Sequence, residues 1–332
     1  MKSLKKEPIV PVRTIDDLME MAHGYQRSMV LFAALDLGVF SALADGPADA
    51  ARLARRLSAD TRRLSILMNA LVGVGLLGKR GNSYRNSEIA GRFLAGGPLS
   101  KASILLHHLD CWPEWTVLAR KIRAGRKGPG KGKAYRENFI RGMEDNARER
   151  AVFVAQQIPL REGERFLDLG GGPGTYAVEW AKRYPGARVT LFDIPETLSV
   201  TRKILREKGV SRLVALREGD FMCDRIGGPY DFVWISQIFH AYPEKDCLFL
   251  LRKVRKAVAR GGRVAVQEFL LEKGGTFPPG PAFFSVHMVA VTEGGKAYTA
   301  DEVAAMFKAA GYRRVTRGKP DIRGVGIVSA HT

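Results

Sequence analysis

Apolar side chains recur at helical spacing through the first third of the chain. In Ser28–Leu43 the apolar residues Met29, Leu31, Phe32, Leu35, Val39 and Leu43 follow a 3.6-residue period, with Gly38 as the interruption. Ala48–Leu57 and Thr61–Leu77 predict two further helices, and Asp60 is placed to cap the second. The turn-rich run Gly78-Lys79-Arg80-Gly81-Asn82-Ser83-Tyr84 suits a small hairpin. Three helices and a hairpin in that order predict a winged helix. A short helix, Ser87–Leu94, stops at Gly96-Gly97-Pro98. A long helical stretch over Lys101–Ala124 then carries Trp112 and Trp115, and Asn138–Ile158 predicts one more helix.

From Glu164 the period changes. Short β-branched and apolar runs at Glu164–Leu169, Arg188–Asp193, Leu213–Glu218, Tyr230–Ser236, Arg263–Phe269, Arg313–Arg317 and Gly324–Ala330 read as strands. Helices fit between them at Thr175–Arg183, Glu196–Glu207, Glu244–Ala259 and Ala300–Ala310. Alternation of this kind implies βαβ units and a parallel, Rossmann-like sheet. The predicted organisation is a winged-helix-like domain over 1–100, a helical connector over 101–160 and an α/β domain over 161–332.

Composition narrows the class. A chain of 332 residues with 45% hydrophobic and 26% charged residues is ordinary globular protein. No apolar run reaches the roughly 18 residues that would cross a bilayer. Met1–Glu7 is basic, but Pro8, Pro11 and Asp16 interrupt any apolar stretch after it, so a cytoplasmic protein is expected. Cys111, Cys223 and Cys247 are too scattered for a disulfide framework or a zinc site, and no metal is expected. The formal net charge of +19 suits a polyanion, a membrane surface or an anionic substrate, or plain solubility. Arg120–Arg136 concentrates it in Arg120, Lys121, Arg123, Arg126, Lys127, Lys131, Lys133 and Arg136 with no acid. Its glycines and Pro129 read as a flexible, solvated loop.

The chemistry starts at Asp168-Leu169-Gly170-Gly171-Gly172-Pro173-Gly174, where the first strand of the α/β region gives way to a helix. Glycines let the backbone turn tightly and come close to a ligand. Such a loop by itself serves NAD, FAD or S-adenosylmethionine. Asp193 ends the second strand, where it can accept from a ribose diol. Gly219-Asp220-Phe221-Met222 ends the third, so that Asp220 can meet an adenine amino group while Phe221 or Met222 covers the ring. Two acids after successive strands, with Asp168 ahead of the glycines, select S-adenosylmethionine. Ser236, at the end of the fourth strand, completes the expected donor site with Asp168, Gly170, Gly172, Asp193, Asp220 and Phe221.

In order along the chain, LDLGVFSALADGP, LARRL, LSILMNALVGVGLL, FLDLGGGPGTY, LFDIP, GDFM, IFHAYPEKDC, RVAVQEFLL and GGKAYTADEV resemble the small-molecule O-methyltransferases. These include plant caffeate and flavonoid enzymes, acetylserotonin O-methyltransferase and bacterial polyketide and carotenoid enzymes. The similarity runs from about Tyr25 to the end. It implies a Rossmann-like catalytic domain, a methyl donor held by Gly170, Gly172, Asp193 and Asp220, and a homodimer formed through the winged-helix dimerisation domain. It also implies His240 as general base and Glu268 as the carboxylate that orients it. A phenol titrates near pH 10 and histidine near 6.5, so histidine can take the proton as the new bond forms. By family position, Trp112, Trp115, Phe139, Met143, Phe284, His287 and Met288 surround the acceptor, a small aromatic, quinone-like or polyketide-like molecule. Two family acids are absent: Ala241 follows the histidine, and Ala297 stands in Gly294-Gly295-Lys296-Ala297-Tyr298-Thr299. A more acidic acceptor, an enol or a carbon nucleophile would need less base.

Three alternatives stand beside this reading: a C-methyltransferase, an RNA or DNA methyltransferase, and a non-catalytic S-adenosylmethionine-binding winged-helix regulator. The basic segment favours a nucleic-acid substrate, yet Tyr135 is its one aromatic, and Ser236-Gln237-Ile238-Phe239 is not the motif of amino-methylating enzymes. A winged helix can set a helix in the major groove. Beyond Arg62 and Arg63, however, Thr61–Leu77 is nearly all apolar, which favours burial in a dimer. Nucleic acid and membrane are therefore not expected as partners.

Overall fold

The computed structural model describes residues 11–124, 133–273, 275, 277–321 and 324–332. The chain divides into two compact units, Met1–Asp110 and Cys111–Thr332.

The first unit opens with α1 (Ile15–Asp36), whose start is fixed by a capping box: Thr14 Oγ1 accepts from the Asp17 amide at 3.1 Å, and Asp17 accepts back from the Thr14 amide at 2.9 Å. The helix begins well before Ser28, where periodicity placed its start. Residues 15–27 bury almost nothing within the chain, so a search for a buried face passes over them. The predicted helix Ser28–Leu43 is two helices. Gly38 adopts φ +75°, a left-handed conformation that ends α1, and α2 (Val39–Ala42) follows. Next come β1 (Ala48–Asp49), α3 (Ala50–Leu57) and α4 (Thr61–Gly73), the last two capped by Asp49 and Asp60. Gly75 at φ +76° stops α4 short of the predicted Leu77, which instead opens β2 (Leu77–Arg80). β3 (Ser83–Asn86) returns across the Gly81-Asn82 turn, and α5 (Glu88–Phe93) follows. The small sheet runs β1-β3-β2. Phe40, Leu53, Leu64, Met68, Leu71 and Tyr84 form its core.

α6 (Ala102–Thr116) and α7 (Leu118–Ala124) replace the single helix predicted over Lys101–Ala124. Residues 125–132 of the basic segment lie outside the described residues. α8 (Lys133–Gln157) leads to β4 (Arg165–Leu169), α9 (Thr175–Arg183), β5 (Arg188–Asp193), α10 (Pro195–Glu207), β6 (Ala215–Glu218) and β7 (Tyr230–Ser236). A 3-10 turn over Phe239–Ala241 precedes α11 (Glu244–Ala257), β8 (Val258–Leu271), α12 (Pro279–Val291), β9 (Tyr298–Thr299), α13 (Ala300–Ala309), β10 (Arg313–Arg317) and β11 (Val325–His331). The large sheet is ordered β10-β11-β8-β7-β4-β5-β6, with β9 beside β8. From β6 to β8 it is parallel, as the alternating pattern predicts. Its last two strands are antiparallel, because no crossover helix separates β10 from β11.

Alternate residues of the central strands feed two cores. Phe166, Phe232 and Trp234 pack with Tyr176 and Trp180 on the side of α8 and α9, while Leu167, Leu169, Val233 and Ile235 pack toward α11 and α13. Burial on both faces explains why these strands read as nearly continuous apolar runs. Because β4 to β8 are parallel, their carboxyl ends lie along one edge of the sheet. Every catalytic and donor-binding residue expected from the sequence sits at or beside that edge.

Candidate active site

The chain enters the large sheet at β4, winds outward to β6 and returns to β7 on the other side of β4. A crevice opens at the carboxyl ends where winding reverses in this way. Gly170, Gly172 and Gly174 there take φ +68°, +53° and +81°. A Cβ on Gly170 would stand 2.6 Å from Ile238 Cδ1, so glycine is needed for space as well as for backbone angle. The Gly172 amide donates to Asp193 Oδ2 at 2.9 Å, and Thr201 Oγ1 donates to the Gly172 carbonyl at 2.6 Å. The loop is thus fixed before any ligand arrives.

Asp168 lies beneath the loop at 1% exposure, accepting from the Ala177 amide at 3.2 Å. Burial pushes its carboxyl up to about 7, against the lowering effect of the Ala177 amide and with a further push from Asp193. Asp193 is raised as well, by burial, although the amides of Gly172 and Ile194 oppose the shift. Asp220 accepts from the Met222 amide at 2.7 Å and donates its own amide to Asp224 at 2.8 Å. Phe221 is buried in the core beside Gly170 and meets Tyr242 edge-on at 6.0 Å. Ser236 Oγ donates to Gln267 Oε1 at 3.0 Å, and the Tyr176 hydroxyl donates to the same oxygen at 2.5 Å.

His240 occupies the 3-10 turn after β7. Its Nδ1 is 2.7 Å from Glu268 Oε2, and Glu268 Oε1 accepts from the Phe239 amide at 2.8 Å. Both carboxylate oxygens are engaged, and Glu268 is 1% exposed. A carboxylate in that setting holds the imidazole proton on Nδ1 and leaves Nε2 with its lone pair. The Gly294-Gly295 turn backs onto this histidine: a Cβ on Gly295 would fall 2.1 Å from the His240 carbonyl oxygen. Ala297 is buried, with its amide donating to Ser285 Oγ at 3.1 Å. His240 and Glu268 therefore meet as a pair, and neither Ala241 nor Ala297 adds an acid.

An aromatic strip extends from the base. Phe284 meets the His240 ring edge-on at 4.8 Å, and His287 lies 6.2 Å beyond Phe284. Trp115 stacks on His287 at 5.7 Å and donates its indole N–H to His287 Nδ1 at 3.2 Å. Met288 is buried, Trp112 and Met143 are half-buried on α6 and α8, and Phe139 is 37% exposed. Lys121, at the head of the basic segment, is not solvated. It is half-buried, pairs with the buried Glu114 and also donates to the Ala290 carbonyl on α12.

Sequence reasoning missed three residues. Gln267 gathers Ser236 and Tyr176, and its signal was a polar residue inside the apolar run Val264–Phe269. Gln237 holds φ +59°, strained for a side chain with a Cβ, while its amide donates to the Gln267 carbonyl at 2.9 Å. Ile238 packs on the glycine loop, a contact that no local pattern announces.

Comparison with known proteins agrees with this layout. Residues 129–313 match the O-methyltransferase domain family, and residues 19–96 match the O-methyltransferase dimerisation domain family. Acetylserotonin O-methyltransferase of Mus musculus is 33% identical over 91% of this chain and 85% of its own length. The 3-hydroxy-5-methyl-1-naphthoate 3-O-methyltransferase of Streptomyces sahachiroi is 26% identical over 93% of each chain. Among solved structures, human N-acetylserotonin methyltransferase in complex with SAM superposes with a TM-score of 0.84 at 26% identity, covering 98% of this chain and 99% of its own.

Proposed function

The chain belongs to the O-methyltransferase family that carries its own dimerisation domain, and from that premise we propose that His240 and Glu268 catalyse methyl transfer from S-adenosylmethionine to a hydroxyl of a small planar acceptor. The observation that carries the proposal is the pair itself, partly exposed His240 Nδ1 to buried Glu268 Oε2 at 2.7 Å with the second oxygen taken by the Phe239 amide.

The residues present fit the donor. Gly170 and Gly172 have no side chain to fill the crevice, and the Asp193 carboxylate keeps spare lone pairs beside its two amide donors for a ribose diol. Asp220 is half-buried at the end of β6, where an adenine amino group would find it, with Phe221 packed behind. Ser236 faces the same edge through Gln267. Asp168 is too deep for direct contact and serves the donor by bracing the loop. Bound there, the donor supplies a sulfonium methyl group open to in-line displacement. The protein's task is to hold the acceptor oxygen in line and to remove its proton.

Nε2 of His240 takes that proton, and the imidazolium formed is stabilised by the Glu268 carboxylate already hydrogen-bonded to Nδ1. A single histidine–carboxylate pair, without acids at positions 241 and 297, best serves an acceptor more acidic than a simple phenol. An enol or a hydroxyl on a quinone-like or polyketide-like ring meets that requirement. Trp112, Trp115, Phe139, Met143, Phe284, His287 and Met288 line the space for such a ring, with residues 101–160 contributing the first four. His287 accepts from Trp115 at Nδ1, which puts its own proton on Nε2.

The dimerisation-domain match supports a homodimer. α1 fits that role, with Ile15, Leu18, Met19, Met21 and Tyr25 all exposed on one chain. No helix among the described residues is long and apolar enough to cross a membrane, in keeping with a cytoplasmic enzyme. The test is methyl-labelled S-adenosylmethionine added to the protein and an extract of its source cells, then separated into nucleic-acid, protein and solvent-extractable fractions. Label is expected in the solvent-extractable fraction and absent with His240→Ala. Label in nucleic acid or protein would overturn the proposal.

A further inference from the structure

The sequence argued against a nucleic-acid partner because α4 reads as too apolar to lie in a groove. The structure removes that argument: Leu64, Met68 and Leu71 are buried in the core of the first unit itself. What α4 turns outward is Arg62, Arg63, Ile66, Asn69, Ala70 and Gly73. We propose that the face made by α3, α4 and the β2–β3 turn binds a nucleic-acid duplex, a function separate from methyl transfer.

Three independent features point to this partner. The first is geometry. α3 and α4 are joined by three residues, Ser58 to Asp60, with Ser58 left-handed at φ +51°. That is a helix-turn-helix connection, whose second helix enters the major groove while the first crosses the backbone. The β2–β3 hairpin follows directly, with Arg80 at its two-residue Gly81-Asn82 turn. The outward stripe of α4 is narrow, since Ala70 and Gly73 let a groove wall come close, and Ile66 offers an apolar contact for a thymine methyl.

The second feature is charge. Between Ala50 and Phe93 the sequence carries nine cations and two acids. All nine cations are exposed, and both acids sit at helix starts, Asp60 capping α4 and Glu88 in the first turn of α5. Arg52, Arg55, Arg62, Arg63 and Arg80 make no ion pair among the described residues. Arg62 and Arg63 occupy the first turn of α4, the end where the helix dipole disfavours cations, so their placement works against helix stability. Phosphates along a duplex would reverse that balance.

The third feature is availability. Five large apolar residues, Ile15, Leu18, Met19, Met21 and Tyr25, are exposed on α1 against one, Ile66, within α3 and α4, so α1 is the better dimer contact.

The test is fluorescence anisotropy with a labelled mixed-sequence DNA duplex of about 20 base pairs, two turns of helix, and the full-length protein. Arg62→Glu/Arg63→Glu should keep the fold, because acids in a first helical turn are favourable. It should weaken duplex binding by about tenfold or more and lower the salt dependence by about one unit of log–log slope per lost phosphate contact. Arg252→Glu/Lys256→Glu, the same charge change on the exposed face of α11, should weaken binding by less than about threefold. Methyl transfer should be unchanged in both variants, which keeps this test separate from that of the catalytic reading. Equal losses from the two variants, or no duplex binding at all, would overturn the proposal. So would an altered oligomeric state in Arg62→Glu/Arg63→Glu.

Discussion

Replacing Glu268 by glutamine changes one atom in a buried site and should nearly abolish turnover. Glu268 is 1% exposed, with Oε1 accepting from the Phe239 amide at 2.8 Å and Oε2 from His240 Nδ1 at 2.7 Å. In Glu268→Gln the amide oxygen can replace Oε1 and keep the Phe239 bond. The NH2 group then faces Nδ1 and can only donate, so Nδ1 must accept and the ring proton moves to Nε2. The nitrogen meant to receive the acceptor's proton is then already protonated. Turning the amide over restores the tautomer but sets two donors against each other in a buried place, at about 1–3 kcal/mol. Either arrangement also loses the charge that stabilises the imidazolium. Positioned general-base catalysis is worth about 10²–10⁴-fold, or about 3–5 kcal/mol of barrier. The assay is the initial rate of label transfer at saturating donor, with calorimetric donor binding alongside. We expect kcat to fall by about 10²–10⁴ while donor Kd stays within about twofold. A kcat within about threefold of wild type would refute the tautomer argument and the role of Glu268 together.

Other sites give further expectations. Gly170→Ala must place a Cβ 2.6 Å from Ile238 Cδ1 at φ +68°, so it should cost about 1–3 kcal/mol of stability and weaken the donor; a wild-type melting curve and affinity would show that the loop does not need glycine there. Asp193→Ala should weaken the donor by about 10–100-fold in calorimetry, from the loss of charge-assisted bonds, and an unchanged affinity would remove the ribose role. Asp168 makes stability fall as pH rises. Its carboxyl is raised from 3.8 to about 7 by burial, so between those values the folded protein holds a proton that the unfolded chain has lost. The stabilisation is complete below the unfolded value and fades toward the folded one, at about 1.4 kcal/mol per pH unit. Asp168→Asn should flatten the urea-unfolding profile between about pH 5 and 7 by that amount, and a slope equal to wild type would contradict it.

The α/β half was legible because its strands are buried on both faces and its helices on one, so period and turn residues agree at every level. The glycine loop, Asp193 and Asp220 could be read from their places at strand ends, whereas the pairing of His240 with Glu268 was implied by the family resemblance. The failures were of two kinds. Residues 15–27 of α1 bury almost no face within the chain, so periodicity had nothing to register. Gln267 and Ile238 matter through contacts across strands and loops that are distant in sequence, which no window of residues contains. Lys121 misled for the same reason. Its neighbours in sequence are cations, while its partner Glu114 lies one helix back and its other contact, Ala290, is in α12.

The most direct test of the central claim is single-turnover methyl transfer, with enzyme in excess over methyl-labelled S-adenosylmethionine and the solvent-extractable acceptor supplied. Wild type and His240→Ala should bind the donor alike, while transfer in the variant slows by at least about 10²-fold. Equal transfer rates with equal donor binding would show that the proton leaves by another route, and that the His240–Glu268 pair is not the engine of the reaction.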